Sequence, residues 1–328
     1  MFTHAIDPIV VTVGGVHVWW YGAGFALGFW QMHRYVRRHR HALGLTLRQV
    51  YTLSLCLVVG VLLGGRTVEV LFDEWAFYST HPSFVPRYWL GGMATHGLLI
   101  GAASAAAVFA WWERRPFREL ADALVVPGAL LMGLGRLGNF IDGLIVGSVT
   151  GVPWAVKFPD APGFRHPVVL YDGLKNLLLV PYLSRERRTI LTPGSTAARF
   201  VFWYAAARIV IDLFRDYPTH RLALGTGQTL NLVMAALGLV LLARSRWRRQ
   251  HEGATPSANV SSEEAASVAP HWWQRVLLAV LLLCCLTIPS NWTQNVPARY
   301  GARHPGLKHS WLYPDIDTAA PVQAPGSP

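Results

Sequence analysis

The stretch VYTLSLCLVVGVLLGGRTVEVL, residues 50–71, decides the fold. From Val50 to Gly65 it carries no charge, and a helix needs about 20 mostly apolar residues to cross a bilayer. Backbone groups in lipid must be satisfied within the segment, so a helix is the conformation open to it. Working outward, seven more stretches read the same way: 16–35, 89–112, 121–141, 168–183, 198–214, 222–242 and 276–288. The runs at 168–183 and 276–288 are the shortest. The expected fold is an all-α integral membrane protein, a seven-helix transmembrane core with an eighth, C-terminal transmembrane helix. Residues 1–249 form the core domain, 250–270 a flexible cytoplasmic linker, 271–290 the additional helix and 291–328 a Pro-rich extracytoplasmic tail. The linker is rich in Ser, Ala and Glu with no hydrophobic period, and the tail is expected to be largely disordered and without chemistry.

Composition agrees with a membrane protein. The chain is 52% hydrophobic and 14% charged, whereas soluble domains carry about a quarter charged residues. A net charge of +11 would by itself permit a nucleic-acid partner. The basic residues, however, sit in short blocks between apolar runs, which argues against one. Cys56, Cys284 and Cys285 all lie inside apolar runs, with no metal-ligand or disulfide spacing. The N-terminus has neither the basic start nor the small-residue cleavage site of a signal peptide.

Arginine blocks follow the first run (Arg34, Arg37, Arg38, Arg40), the third (Arg114, Arg115, Arg118), the fifth (Arg185, Arg187, Arg188) and the seventh (Arg244, Arg246, Arg248, Arg249). The positive-inside rule places every one of these ends in the cytoplasm and the N-terminus outside.

Ionisable residues inside membrane runs cost a few kcal/mol each at the helix centre, so each needs a reason. Tyr204, Arg208, Asp212 and Arg215 fall on one stripe of the sixth run. Arg208 is either a structural ion pair with Asp212 or a guanidinium aimed at a lipid phosphate, and the two are compatible. Arg136 and Asn139 share a face of the fourth run among Gly135, Gly138 and Gly143. Close helix packing accounts for the glycines but not for the arginine and asparagine beside them. His96 stands at the outer start of the third run among glycines, a structural histidine or a proton carrier. Trp19, Trp20 and Tyr21 suit an interfacial aromatic belt, although Tyr21 can also donate to a phosphate or ester oxygen. His166, Tyr171 and Asp172 read as residues that order the loop after the fourth run. Two arginines with few acids nearby, at one level near the outer leaflet, point to an anionic ligand such as a phospholipid head group.

These residues carry a resemblance. The pieces are Trp20-Tyr21-Gly22, Gly64-Gly65-Arg66, Gly91-Gly92-Met93-x-x-His96-Gly97, Gly135-Arg136-Leu137-Gly138-Asn139-Phe140-Ile141 with Gly147 after it, His166-Pro167-x-x-Leu170-Tyr171, and Arg208-x-x-x-Asp212-x-x-Arg215. In order and spacing the chain resembles bacterial prolipoprotein diacylglyceryl transferases from about Asp7 to Arg249. The resemblance implies transfer of the diacylglyceryl group from phosphatidylglycerol to the lipobox cysteine of a prolipoprotein signal peptide, with release of glycerol phosphate. It also implies the bacterial inner membrane as location, and neither metal nor organic cofactor. Tyr21, His96, Arg136, Asn139 and Arg208 are then the expected catalytic residues, with His96 the candidate base for the thiol. Arg66, Asp142, Gly147, Tyr171, Asp212 and Arg215 are expected to bind substrate.

The chain departs from the family pattern at its carboxylates. The usual Gly-Asn-Phe-Ile-Asn-Gly-Glu reads Gly138-Asn139-Phe140-Ile141-Asp142-Gly143-Leu144 here. Leu144 can neither accept a proton nor orient an arginine, while Asp142 brings a carboxylate nearby in partial compensation. The glutamate usual four residues after Arg208 is Asp212, and that usual after Tyr171 is Asp172. These changes leave two further readings open, a paralogue with another acceptor and a non-catalytic phospholipid-binding protein. A transporter is weaker, since no internal repeat is evident.

Overall fold

The computed structural model describes residues 1–159, 161–189, 192–216, 226–251, 268–294 and 296–316. The chain opens with a short strand, β1 (Phe2–Thr3), and a hairpin of β2 (Ile9–Val13) and β3 (Val16–Trp19). Helices α1 (Trp20–Arg38) and α2 (Leu47–Val68) follow, then a π turn over Glu69–Asp73 and α3 (Trp75–Thr80). Next come α4 (Thr95–Trp112), α5 (Phe117–Asp142), strands β4 (Val156–Lys157) and β5 (Phe164–Arg165), α6 (Val168–Thr189) and α7 (Ser195–Asp212). The last elements are α8 (Thr226–His251), α9 (Trp272–Leu286) and α10 (Val296–Arg303). β4 lies between β1, parallel to it, and β5, antiparallel. The linker stretch 252–267, the tail end 317–328 and residues 222–225 of the seventh predicted run lie outside the described residues.

Among the described residues, four helices are long and apolar enough to cross a membrane: Leu47–Asp73, Thr95–Trp112, Phe117–Asp142 and Gly227–His251. The protein is a helical, multi-pass membrane protein. Two of the expected runs do not begin as α-helix, while α6 and α8 continue past their expected ends to Thr189 and His251. The run at 16–35 starts as strand, because Gly14 and Gly15, with φ of 58° and 82°, form the tight turn that pairs β2 with β3. The run at 89–112 becomes a helix only at Thr95, since Gly91 and Gly92 take φ of 76° and 72° and break the chain direction.

Lipid supplies no hydrophobic force between helices, so close approach must replace it. α2 and α4 achieve this with facing glycines, Gly60 and Gly64 against Gly97 and Gly101. A Cβ on Gly60 would lie 2.8 Å from the Gly101 carbonyl oxygen, and one on Gly64 2.7 Å from the Gly101 Cα. α1 packs on α5 in the same manner, where a Cβ on Gly138 would lie 2.6 Å from the Tyr21 Cα. α5 also packs on α6, α7 on α8, and α9 against α1 and α2. A capping box starts α2, where the Thr46 hydroxyl accepts from Gln49 N (3.2 Å) and the Gln49 amide oxygen from Thr46 N (3.0 Å). Apart from α9 on α2, which run parallel, these pairings are antiparallel, so alternate helices begin and end at the same level.

The tail is not free. Trp292, Tyr300 and Tyr313 are fully buried, and with Trp19 and Leu90 they form an apolar cluster of their own. The expected disorder from Ser290 onward is thus overturned for the described residues up to 316. Its large aromatic residues bury enough surface to offset chain ordering, which a count of prolines does not register.

Gly101→Leu should force α2 and α4 apart, costing about 1–3 kcal/mol, as overpacking does. Gly128→Ala on α5, where a Cβ meets nothing within 4 Å, should leave stability unchanged or slightly raised. Thermal unfolding of both variants in detergent checks the pair.

Candidate active site

The antiparallel packing gathers polar side chains at one end of the bundle. Tyr21 comes from the start of α1, Thr95 and His96 from the start of α4, and Arg136 and Asn139 from the last turns of α5. Asp172 and Lys175 come from the start of α6, Arg208 and Asp212 from the end of α7, and Asn231 from the start of α8.

Asp172 is at the centre, with no exposed surface. Its Oδ2 accepts from Arg136 Nε and Arg208 Nη1, both at 2.5 Å, and its Oδ1 pairs with Lys175 Nζ at 2.7 Å. Lys175 also stands 3.6 Å from the centre of the Tyr204 ring, a cation–π contact. Arg136 donates through Nη1 to Asn139 Oδ1 (3.0 Å) and through Nη2 to Thr95 Oγ1 (2.9 Å). A guanidinium has five N–H donors, so one remains on each terminal nitrogen of Arg136 for a ligand. Arg208 Nε pairs with Asp212 Oδ1 at 2.9 Å, and Asp212 Oδ2 accepts from Asn231 Nδ2 at 3.1 Å. The remaining amide oxygen of Asn231 faces His96 Nε2 at 3.4 Å. Because that amide has committed its NH2 to Asp212, its oxygen accepts from His96 Nε2–H, leaving the lone pair on Nδ1. A cavity of about 30 Å³ joins Tyr21, Thr95, Arg136 and Asn139 to the apolar Phe25 and Leu98.

Tyr21, His96, Arg136, Asn139, Arg208 and Asp212 are therefore brought together, and other expectations are corrected. The two arginines do not lack acids, since Asp172 and Asp212 contact them directly. Asp172 is no loop-ordering residue; one turn into α6 it points into the bundle. Arg66 is drawn away, donating to the carbonyls of Phe84, Val85, Arg87 and Gly91 and so holding the loop before α4. Tyr171, in the first turn of α6, turns to the α5–α6 loop, where its hydroxyl accepts from Trp154 Nε1 at 2.7 Å and lies 3.1 Å from His166 Nδ1. Gly147 N donates to His166 O (3.1 Å), and Gly147 bridges the backbone of Arg215, tying this loop to the end of α7. Trp19 and Tyr21 are 0% and 5% exposed, so neither belongs to an interfacial belt; Trp20, at 42%, is exposed.

Asp142 does not compensate for Leu144. Its carboxylate is fully buried beneath the tail and accepts from Ser290 N at 2.9 Å. Leu144 packs against the apolar cluster of Trp292, Tyr300 and Tyr313. The Ser290 hydroxyl accepts from Asn139 Nδ2 at 2.8 Å, one hydrogen bond removed from Arg136. Asn291 Nδ2 donates to Glu74 Oε1 (2.6 Å) and Glu69 Oε1 (3.2 Å), and Arg303 donates to the last carbonyls of α5 at Ile141 (2.9 Å) and Asp142 (2.6 Å). The positive φ of Gly91 and Gly92 seats the tail as well, with Gly92 N donating to Ser290 O at 2.9 Å. Burial holds the Tyr300 phenol well above its ordinary pKa, so it stays neutral inside this cluster. Sequence reasoning missed Asp172, Lys175, Thr95, Asn231 and Ser290 as members of the network. The three-residue spacing of Asp172 and Lys175 in an apolar run was the available signal; for Ser290 there was none.

Residues 8–244 match the family model described as prolipoprotein diacylglyceryl transferase. Among similar proteins, the phosphatidylglycerol–prolipoprotein diacylglyceryl transferase of Mannheimia succiniciproducens is 37% identical over 73% of this chain and 94% of its own length. That of Geobacter sulfurreducens is 36% identical over 73% of this chain and 95% of its own. The protein of the same name from Rhodopseudomonas palustris is 33% identical over 80% of this chain and 96% of its own. The matched residues end before α9, so α9 and the tail lie beyond them.

Asp172→Asn leaves three cations facing one another, and unfolding should become easier by about 3–5 kcal/mol. Asp172→Asn/Lys175→Met should recover part of that loss, read by thermal unfolding in detergent. Leu144→Glu places a carboxylate in the tail's apolar cluster, and limited proteolysis should then release the segment after α9 faster than in the parent.

Proposed function

The chain belongs to the prolipoprotein diacylglyceryl transferase family, and from that premise we propose that it moves the diacylglyceryl group of phosphatidylglycerol onto the lipobox cysteine of a prolipoprotein. The observation that carries this reading is the pair of guanidiniums, Arg136 and Arg208, held on the single carboxylate of Asp172. Counting Arg136, Arg208 and Lys175 against Asp172 and Asp212, the cluster keeps one positive charge in excess.

In the reaction the cysteine sulfur forms a thioether bond to the glyceryl carbon next to the phosphate. The bond from that carbon to the phosphate oxygen breaks, glycerol phosphate leaves with the electron pair, and the thiol gives up its proton. The leaving phosphate gains charge as the bond breaks, and donors arranged in advance lower that barrier. Arg136 has N–H groups to offer, while Asn139 and Thr95 fix its plane and Asp172 fixes its distance from Arg208. The thiolate is the nucleophile, so a base is needed, and Nδ1 of His96 is the nitrogen with a lone pair. The Asp212–Asn231 pair orients that ring. Tyr21 lines the same cavity as Arg136 and offers a hydroxyl to the ester end of the lipid.

The arginine blocks at the far ends of α1, α4, α6 and α8 support an arrangement with the N-terminus outside and the site near the outer face of a bacterial inner membrane. In it α1, α2 and α4 to α8 form a seven-helix core, and α9 is an eighth crossing that carries the tail back to the site. A second reading, transfer to another thiol or hydroxyl acceptor, is favoured by one observation. The tail bonds Asn139 through Ser290 and covers Leu144, so a segment beyond the family-matched residues borders the site.

The test is reconstitution of the purified chain with phosphatidylglycerol and a lipobox peptide, followed by mass spectrometry. The expected result is a gain of one diacylglyceryl group, reduced about 100-fold or more in Arg136→Ala and Arg208→Ala. No modification, with the Mannheimia succiniciproducens relative active alongside, would sink the prolipoprotein reading and leave the other acceptors.

A further inference from the structure

A second cavity lies at the other end of the bundle. It is a cleft of about 1420 Å³ between the last turns of α1, the end of α6 and the first turns of α9. Tyr21, in the candidate site, and Arg37, in this cleft, are sixteen residues apart on α1, about 24 Å along the axis. That approaches the roughly 30 Å thickness of a bilayer's hydrocarbon core, so the cleft faces the opposite leaflet.

Arg37, Arg38, Arg187 and Arg275 stand at its end, while further along the helices it is lined by Gln31, His33 and Arg34 of α1 and by Leu278 and Leu282 of α9. Arg275 and Leu282 are seven residues apart on one helix, about 10 Å along its axis. Among the described residues no carboxylate lines the cleft. Glu186, beside Arg187 in the chain, is turned to Arg199 at 3.0 Å. Arg187 is held in place by a hydrogen bond from Nη1 to the Tyr35 hydroxyl at 2.7 Å. A volume above the roughly 300–1,000 Å³ of small-molecule pockets is generous for a free phosphate, and a basic mouth over an apolar wall matches a head group over acyl chains.

We propose that this cleft binds an anionic phospholipid of the leaflet opposite the candidate active site, with its phosphate on the arginines and its acyl chains along α9. The wall that completes the cleft, α9, lies outside the residues shared with the family. The proposal assumes only that the protein spans a membrane and does not depend on the transferase reaction.

The experiment labels the full chain in phosphatidylcholine vesicles containing a small share of phosphatidylglycerol with a photoreactive acyl chain, then maps labelled peptides by mass spectrometry. Label is expected on the α9 segment around Leu278 and Leu282. Arg37→Gln/Arg275→Gln should weaken this labelling roughly 25-fold, at about fivefold per arginine. Arg246→Gln/Arg249→Gln, equal in charge but outside the cleft, should leave it unchanged, as should Arg208→Ala in the candidate site. Equal labelling by a photoreactive phosphatidylcholine would overturn the proposal. So would full competition by inorganic phosphate, or equal loss in both arginine pairs, since general surface charge would then explain the binding. Loss of peptide modification without loss of this label would fall on the transferase reading alone.

Discussion

Everything at the candidate-site end of the bundle hangs on one buried carboxylate shared by three cations. Asp172 holds Arg136, Arg208 and Lys175 at 2.5, 2.5 and 2.7 Å, and these four residues come from α5, α6 and α7. Three cations gathered on one carboxylate repel one another strongly in a medium of low polarisability, so the arrangement exists only because the anion stands between them. The carboxylate sets the separation of two guanidiniums that no packing of apolar side chains would hold together. It also lowers their combined charge enough for burial while leaving a positive excess.

From that centre a line of hydrogen bonds runs in both directions. One branch passes through Arg208, Asp212 and Asn231 to His96, and the other through Arg136 and Asn139 to Ser290. Each link consumes a donor or acceptor that would be costly to bury alone, so the branches define one another's geometry. Satisfied networks of this kind rigidify a site, which is what donors aimed at a developing charge require.

The C-terminal addition is built into this network rather than attached beside it. Gly91 and Gly92, Asp142 and Leu144 all meet the tail or its aromatic cluster. Asp142 and Leu144 each suit the contact they make with that segment. A glutamate at position 144 would face an apolar cluster, and a carboxylate at 142 takes a backbone N–H from Ser290. Asp142, Leu144 and the segment after α9 pack as one unit.

Some of this was legible in the residues alone. Long uncharged runs settle the membrane-helix class, because lipid allows a spanning backbone few alternatives. Intramembrane ionisable residues such as Arg136, Arg208 and His96 announce themselves by their cost, and motif order points to the family. What only the tertiary structure decided is which charges meet. Asp172 reads as a loop residue until its place one turn into α6 brings it to Arg136, and Arg66 reads as a substrate-binding residue until the loop before α4 takes its donors. The tail, Pro-rich and without a period, gave no sign that Ser290 would reach Asn139. Periodicity reports which face of a helix is apolar, whereas contacts between segments far apart in the chain depend on packing that no local pattern encodes.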